Sequence, residues 1–360
     1  MGIQNRIRNK LEQLEFAVYC FKRGNNTRFV RSVKALEQNN NLVYVENPVN
    51  GKSEDSREKP DSGKKPDMIY FIDMEEAHSG FFAEHNKLLS LLYFADYHGL
   101  TPVVRFHPGY CYAESHAVNG TENPFEYYFE QPCGIGTEAL GTYQCVLRSR
   151  KENGYLAAKL NEGAAGYTRS DLYINEMARI TSKYIRLNSI VRTQMQQEIS
   201  ALTGSGGEKI LAAHVRGTDF KKNYNGHPIY IPAKEYLEAV QEVCQKGGYE
   251  KVFIATDDAE ALALFKEKFG DRLLYYHDVT RGEGDTVMNS RDTRENHKYL
   301  LGIEVLRDMY TLAACKGLVA GLSQVSFAAR IQKKSMGEEY QDLVILNHGI
   351  NYHKKENCPH

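Results

Sequence analysis

The chain of 360 residues lacks the segments that would send it across or into a membrane. It contains no run of 18 or more consecutive apolar residues, so the sequence predicts no transmembrane helix. The N-terminal stretch MGIQNRIRNKLEQLEFAVYCFKRG has no apolar region followed by a small-residue cleavage site, which argues against secretion. We therefore expect a soluble, cytoplasmic protein.

Excess charge and paired cysteines are also missing. The formal net charge is −1, so nothing draws the chain as a whole to nucleic acid, and we expect no nucleic-acid partner. Seven cysteines lie at scattered positions without a C-x-x-C pair. An odd number at low density indicates free thiols in a reducing compartment and no zinc site.

Several well-known catalytic motifs are absent. TGSGGE (203–208) is not a G-x-G-x-x-G leading into a helix, which argues against a nicotinamide dehydrogenase, and there is neither a P-loop nor a G-x-S-x-G elbow. VFIATDD (252–258) is not a D-x-D motif, so no metal cofactor is predicted there, and Thr256 or Asp257 is expected to cap the next helix.

Composition and periodicity divide the chain into five segments. The first is basic, with eight Lys or Arg residues from Met1 to Lys34, which suits either a solvated helix face or peripheral contact with an acidic membrane surface. The two long segments each alternate strands with helices, which predicts an α/β fold with parallel sheets. The segments are a basic helical region (1–47), a linker or exposed loop (48–66), an N-terminal α/β domain (67–204), a C-terminal α/β domain (205–347) and a tail (348–360).

Polar residues follow two of the predicted strands in the C-terminal domain, where ligands of parallel sheets bind. LAAHVRGTDF (211–220) ends on His214, Arg216 and Asp219. The Arg216 guanidinium suits a phosphate or a surface ion pair, His214 can hydrogen-bond a base or sugar, and Asp219 can orient the loop or pair with the arginine. GLVAGLSQVSFAARI (317–331) places Ser323 as the N-cap of a helix whose N–H groups can also bind an anion.

A carboxylate interrupts an apolar helix face. On the predicted helix 295–315, Asp308 shares a stripe with Leu301, Val305 and Leu312. A carboxylate there needs partners. Either it caps or pairs with Arg307 or Lys316, or it accepts N–H groups of a guanine edge or binds ribose hydroxyls.

Three motifs together resemble one family. HVRGTD, VFIATDD and DMYTLAACKGLVAGLSQVSFAA are similar, in order and spacing, to the donor-site motifs of α-1,6-fucosyltransferases within the GDP-fucose O-fucosyltransferase superfamily. The resemblance covers about residues 67–347. It implies a GT-B-like fold, in which two Rossmann-like domains face a cleft, the N-terminal domain on the acceptor side and the C-terminal domain binding the GDP-sugar.

The resemblance also implies an activity. Enzymes of this family transfer fucose from GDP-β-L-fucose with inversion and without a metal. In this chain Arg216 matches the arginine on the β-phosphate, His214 the histidine of the same motif, and Asp308 the aspartate that reads guanine or ribose. Ser323 and Gln324 match the Ser-Gln pair at the pyrophosphate. The expected acceptor is a glycan or a lipid-linked oligosaccharide, at the inner face of the membrane.

The chain departs from the family pattern in the same region. Gly217 stands where a second arginine is frequent, and residues 220–232 contain no carboxylate where some members carry a base. Tyr224 lies near that place, and His227 is the nearest side chain able to act as a base. Two other functions remain open: a glycosyltransferase with another nucleotide sugar, and a non-catalytic nucleotide-sugar-binding protein.

Overall fold

The computed structural model describes ten stretches of the chain, and its residues form two compact units. Both units combine helices with a sheet that contains parallel strands, which confirms the α/β class. No helix in these stretches is both long and apolar enough to cross a bilayer. The stretches are 43–46, 68–75, 77–143, 145–161, 168–204, 209–217, 220–222, 224–279, 281–282 and 294–352.

The first unit is built on a four-stranded sheet of order β1-β4-β2-β3. β2, β3 and β4 run parallel, and β1 pairs antiparallel with β4. The long helix α1 (Phe81–His98) connects β2 to β3. Gly99 caps its C-terminus with a φ of 64°, in the left-handed region that glycine adopts without strain. The strands are β1 (Val43–Glu46), β2 (Met68–Met74), β3 (Thr101–Phe106) and β4 (Cys145–Arg148), and a short helix α2 (Tyr155–Ala158) follows them.

The prediction of helix over residues 1–47 is wrong at its end, because residues 43–46 form strand β1. The sequence VYVE consists largely of β-branched and aromatic residues, which fit a pleated sheet edge better than a helix. The rest of the basic region, the linker 48–66 and residues 353–360 of the tail lie outside the described residues.

The second unit carries a five-stranded sheet of order β7-β6-β5-β8-β9, in which every neighbouring pair is parallel. In order along the chain these strands are numbered 3-2-1-4-5, the arrangement of a Rossmann fold. The strand order reverses between β5 and β8, and ligands of such sheets bind at that reversal. The strands are β5 (Ile210–Val215), β6 (Lys251–Thr256), β7 (Leu273–Leu274), β8 (Gly317–Gly321) and β9 (Asp342–Leu346).

Residues 171–203 form two helices, because Asn188 accepts a hydrogen bond from the Val191 N–H at 2.9 Å and starts a new helix there. The helices are α3 (Asp171–Tyr184), α4 (Ser189–Thr203), α5 (Ala233–Gly247), α6 (Ala259–Phe269), α7 (His297–Ala314) and α8 (Gln324–Ser335).

The division between the units differs from the predicted boundary at 204/205. Helix α4 belongs to the second unit, together with residues 168–178. Glu198 on α4 accepts a hydrogen bond from Arg307 on α7 at 2.6 Å, and the Arg169 guanidinium lies 5.1 Å from the Phe327 ring centre on α8. These side-chain contacts hold both segments against the C-terminal sheet.

Candidate nucleotide-sugar site

His214 and Ser323 meet where the strand order reverses. His214 is the fifth residue of β5 and lies beside Ala320 of β8 in the ladder. Its Nδ1 is 3.3 Å from the Ser323 hydroxyl oxygen, and both side chains are buried. Burial, and secondarily the charge of Arg216, lowers the pKa of His214 to about 4. The imidazole is therefore neutral near pH 7, and it can hydrogen-bond a ligand without repelling Arg216.

Ser323 caps helix α8, as the sequence predicts. Its hydroxyl accepts a hydrogen bond from the Ser326 N–H at 3.0 Å, while the Ser323 N–H donates to the Ser326 hydroxyl at 3.1 Å. This capping box fixes the direction in which α8 begins. The helix starts at Gln324, so its positive dipole end lies at the edge of the sheet beside His214. The structure thus brings Ser323, Gln324 and His214 together.

Asp257 holds Arg216 in place. The carboxylate pairs with the Arg216 Nη1 at 2.9 Å and accepts the Gly217 N–H at 2.9 Å, so it fixes both the side chain and the backbone after β5. The Arg216 side chain remains 31% exposed, which leaves it accessible to a ligand. The three motifs by themselves do not indicate this role for Asp257. The adjacency of β5 and β6 in a parallel sheet is the signal that could have found it.

Gly217 is a glycine because Asp258 lies against it. A Cβ atom at position 217 would stand 2.4 Å from the Asp258 Cβ, so a second arginine there would require the neighbouring turn to move. Asp258 is held firmly, since it caps α6 through the Glu260 N–H at 2.9 Å and pairs with Lys221 at 2.8 Å. The expectation that Thr256 or Asp257 caps this helix is therefore wrong.

Asp308 has a carboxyl group without a hydrogen-bond donor among the described residues. The residue is half-buried, and burial raises the pKa of Asp308 to about 7 although Arg281 and Arg307 oppose the shift. Of the alternatives that the sequence leaves open, the ion pair with Arg307 does not form. That guanidinium instead donates to Glu198 at 2.6 Å and to Asp278 at 2.7 Å.

Backbone contacts link the surroundings of Asp308 to those of Arg216. The Gly282 N–H donates to the Asp257 carbonyl at 2.9 Å, and the Ala259 N–H donates to the Gly282 carbonyl at 3.0 Å. Gly282 follows Arg281, whose charge acts on Asp308. The loop residue next to Arg281 is therefore hydrogen-bonded to the end of β6, where Asp257 pairs with Arg216.

The two remaining predicted residues have different outcomes. His227 lies one aromatic ring away from Arg216: the Phe220 ring centre is 5.7 Å from the Arg216 guanidinium and 6.2 Å from the His227 ring centre. Asp219 lies outside the described residues, so its role as a loop-orienting or arginine-pairing residue stays a prediction.

Comparisons with known proteins give matches to solved structures alone. No protein-family model matches the chain, and no curated protein matches it. The α-1,6-fucosyltransferase NodZ co-crystallized with GDP is 18% identical, with 74% of this chain and 92% of that chain covered and a TM-score of 0.46. The fucosyltransferase NodZ from Bradyrhizobium is 18% identical over 73% and 93% of the two chains, with a TM-score of 0.45.

POFUT1 in complex with GDP-fucose is 12% identical over 79% of this chain and 99% of that chain, with a TM-score of 0.42. These similar structures bear names from the superfamily that the three sequence motifs resemble.

The raised pKa of Asp308 predicts that this carboxylate destabilises the fold. The pKa is about 7 in the folded chain against 3.8 for an ordinary aspartate, so the folded state binds the proton more tightly. The destabilisation is absent below about pH 4 and complete above about pH 7. Asp308→Asn should therefore raise the unfolding temperature at about pH 8, and the gain should shrink toward pH 4.

Asp278→Asn is the matched control, measured by the same thermal unfolding. Burial alone would raise the pKa of Asp278, but its hydrogen bond from Arg307 lowers it, so this carboxylate stabilises the fold at high pH. The control should lose stability at about pH 8. An Asp308→Asn variant that loses stability there as well would contradict the assignment of an unpartnered carboxylate.

Proposed function

We propose that the protein is an inverting, metal-independent glycosyltransferase that transfers fucose from GDP-β-L-fucose to a glycan. The observation that carries the proposal is the contact of His214 with Ser323 at the strand reversal, with the Arg216 guanidinium beside it. Two different anion-binding features, a guanidinium and a helix N-terminus, thus lie at one edge of the sheet, where nucleotides bind in Rossmann-like sheets.

The diphosphate is the part of the donor that this edge suits best. Arg216 offers a planar set of donors that matches phosphate oxygens two at a time, and Asp257 orients it. The start of α8 offers backbone N–H groups and the positive end of the helix dipole. Together they neutralise the charge that grows on the β-phosphate as the glycosidic bond breaks, the task that a divalent cation performs in metal-dependent enzymes.

Asp308 supplies the nucleotide specificity in this proposal. An ionised carboxylate accepts the N1–H and N2–H groups of guanine and forms no such pair with adenine. Because the described residues leave this carboxylate without a donor, a bound guanine would supply the hydrogen bonds that it lacks. Fucose as the sugar follows from the motif resemblance, as does the choice of a glycan or lipid-linked acceptor.

In the proposed reaction an acceptor hydroxyl attacks the anomeric carbon from the side opposite the leaving GDP, which inverts the configuration. His227 is the proposed base that takes the hydroxyl proton, since its ring lies within one aromatic side chain of Arg216. We place the reaction in the cytoplasm, with the basic N-terminus available for peripheral contact with the membrane that bears the acceptor.

Arg216→Lys tests the central role of the guanidinium. Lysine keeps the positive charge but lacks the planar set of N–H donors. We therefore expect kcat for GDP release from GDP-fucose to fall by on the order of 100-fold, as when one oxyanion donor is removed. Thermal unfolding should change little because the side chain is partly exposed.

Near-parental turnover of GDP-fucose by this variant would contradict the proposed role, and an unfolded variant would identify Arg216 as a structural ion-pair residue. The same assay run with UDP-sugars distinguishes the two kinds of transferase. Turnover of a UDP-sugar in place of GDP-fucose would identify a glycosyltransferase with another donor. A parent chain that binds GDP-fucose without ever releasing GDP would instead be a binding protein.

Chelation tests the metal independence. If Arg216 and the start of α8 do the work of a cation, GDP-fucose turnover in EDTA should equal turnover in untreated buffer. Loss of activity that returns on adding Mn²⁺ or Mg²⁺ would contradict this phosphate site.

A further inference from the structure

Two nitrogens of the Arg281 guanidinium donate to the backbone, and the third nitrogen does not. Its Nη1 donates to the Val279 carbonyl at 2.9 Å and its Nη2 to the Tyr276 carbonyl at 3.1 Å, so the guanidinium is fixed against the loop after β7. The Nε–H is buried and has no hydrogen-bond partner. A buried N–H without an acceptor is unfavourable, so a ligand that supplies one gains affinity.

The unpaired Nε–H of Arg281 and the carboxylate of Asp308 lie on two elements that contact each other, the loop after β7 and helix α7. The charges of the two residues act on each other, yet no hydrogen bond joins them. Tyr276 connects these two elements: its backbone carbonyl accepts a hydrogen bond from Arg281, and its hydroxyl lies 2.9 Å from the Thr311 hydroxyl, one helical turn from Asp308 on α7. The Arg307 guanidinium, 3.8 Å from the Tyr276 ring centre, fastens this loop to α7.

One donor beside one acceptor is a pattern that distinguishes the bases. Guanine presents an acceptor, O6, next to two donors, N1–H and N2–H. Adenine presents the reverse order, with a donor at N6 and an acceptor at N1. Uracil offers O4 and N3–H, but then turns a second carbonyl toward the carboxylate. Guanine therefore satisfies the Arg281 N–H and both oxygens of Asp308. Adenine would place a donor against the Arg281 N–H, and uracil would place a carbonyl oxygen against the Asp308 carboxylate.

We propose that Arg281 is a specificity-determining residue that donates its Nε–H to guanine O6 while Asp308 accepts N1–H and N2–H. The inference rests on the proposed function, because it requires that a guanine nucleotide occupies this edge. It adds a residue outside the three motifs, on the loop after β7. Since two carbonyls fix the guanidinium, the donor is in position before the nucleotide arrives.

The experiment compares GDP with 6-thio-GDP by calorimetry. The thio compound keeps N1–H and N2–H but replaces O6 by sulfur, a weaker acceptor. The parent chain should prefer GDP by about tenfold, the size expected for a hydrogen bond from a charged donor. In Arg281→Met the preference should shrink to within about twofold.

Two variants serve as controls. Arg272→Met removes an arginine that likewise binds two backbone carbonyls, those of Glu250 and Tyr249, both at 2.8 Å, but at the start of β7. Asp308→Asn removes the acceptor side of the pair. Both should keep the oxygen-over-sulfur preference, while Asp308→Asn alone binds GDP about tenfold more weakly. A loop merely disturbed by loss of Arg281 would weaken both nucleotides equally and leave the ratio unchanged.

The outcomes separate this inference from the function on which it rests. A parent chain without affinity for GDP would overturn the proposed function. A parent that binds GDP and 6-thio-GDP equally, or an Arg281→Met variant with the parental ratio, would overturn the role of Arg281 and leave the function standing. Equal binding of the two nucleotides by the parent would overturn the role of Arg281 even if the methionine variant does not fold.

Discussion

The hydrogen bond between His214 and Ser323 is the contact on which the site depends. It joins β5 to the start of α8 at the point where the strand order reverses, 3.3 Å from nitrogen to oxygen. Because His214 is buried and neutral, the contact fixes the ends of both elements without adding a charge. Arg216 then follows directly from the end of β5, and Asp257 at the end of β6 sets its direction. The phosphate ligands are thereby in place before a donor binds.

The opposite side of the site keeps groups that the fold itself does not satisfy. Asp308 has a pKa of about 7 because burial disfavours its charge, and the Arg281 Nε–H has no acceptor. Such groups reduce stability. The two Nη groups of nearby Arg307 donate to Glu198 and Asp278, while its Nε–H, like that of Arg281, is buried and has no acceptor. Strongly perturbed groups at a ligand-binding edge are typical of functional sites, where a bound ligand supplies the missing partner.

Much of the fold of the C-terminal half could be predicted from the sequence, because each buried strand is a short apolar run followed by a helix with clear end signals. The capping role of Ser323 was predictable for the same reason. Contacts between distant segments could not be predicted in this way. From the sequence Asp257 is a candidate helix cap, and its pairing with Arg216 follows only once β6 is known to lie beside β5. The position of Arg281 could not be predicted, because it belongs to no motif. Its partners are backbone carbonyls, which any residue type provides. The strand at 43–46 needed its pairing with β4 to be recognised.

A crystal structure of the chain with GDP would test this site. We expect the β-phosphate to lie within about 3 Å of the Arg216 guanidinium nitrogens and at the first turn of α8, with the His214–Ser323 contact unchanged. We also expect the guanine edge to lie against Asp308. GDP bound elsewhere, or bound here with its diphosphate turned away from Arg216 and α8, would contradict this assignment.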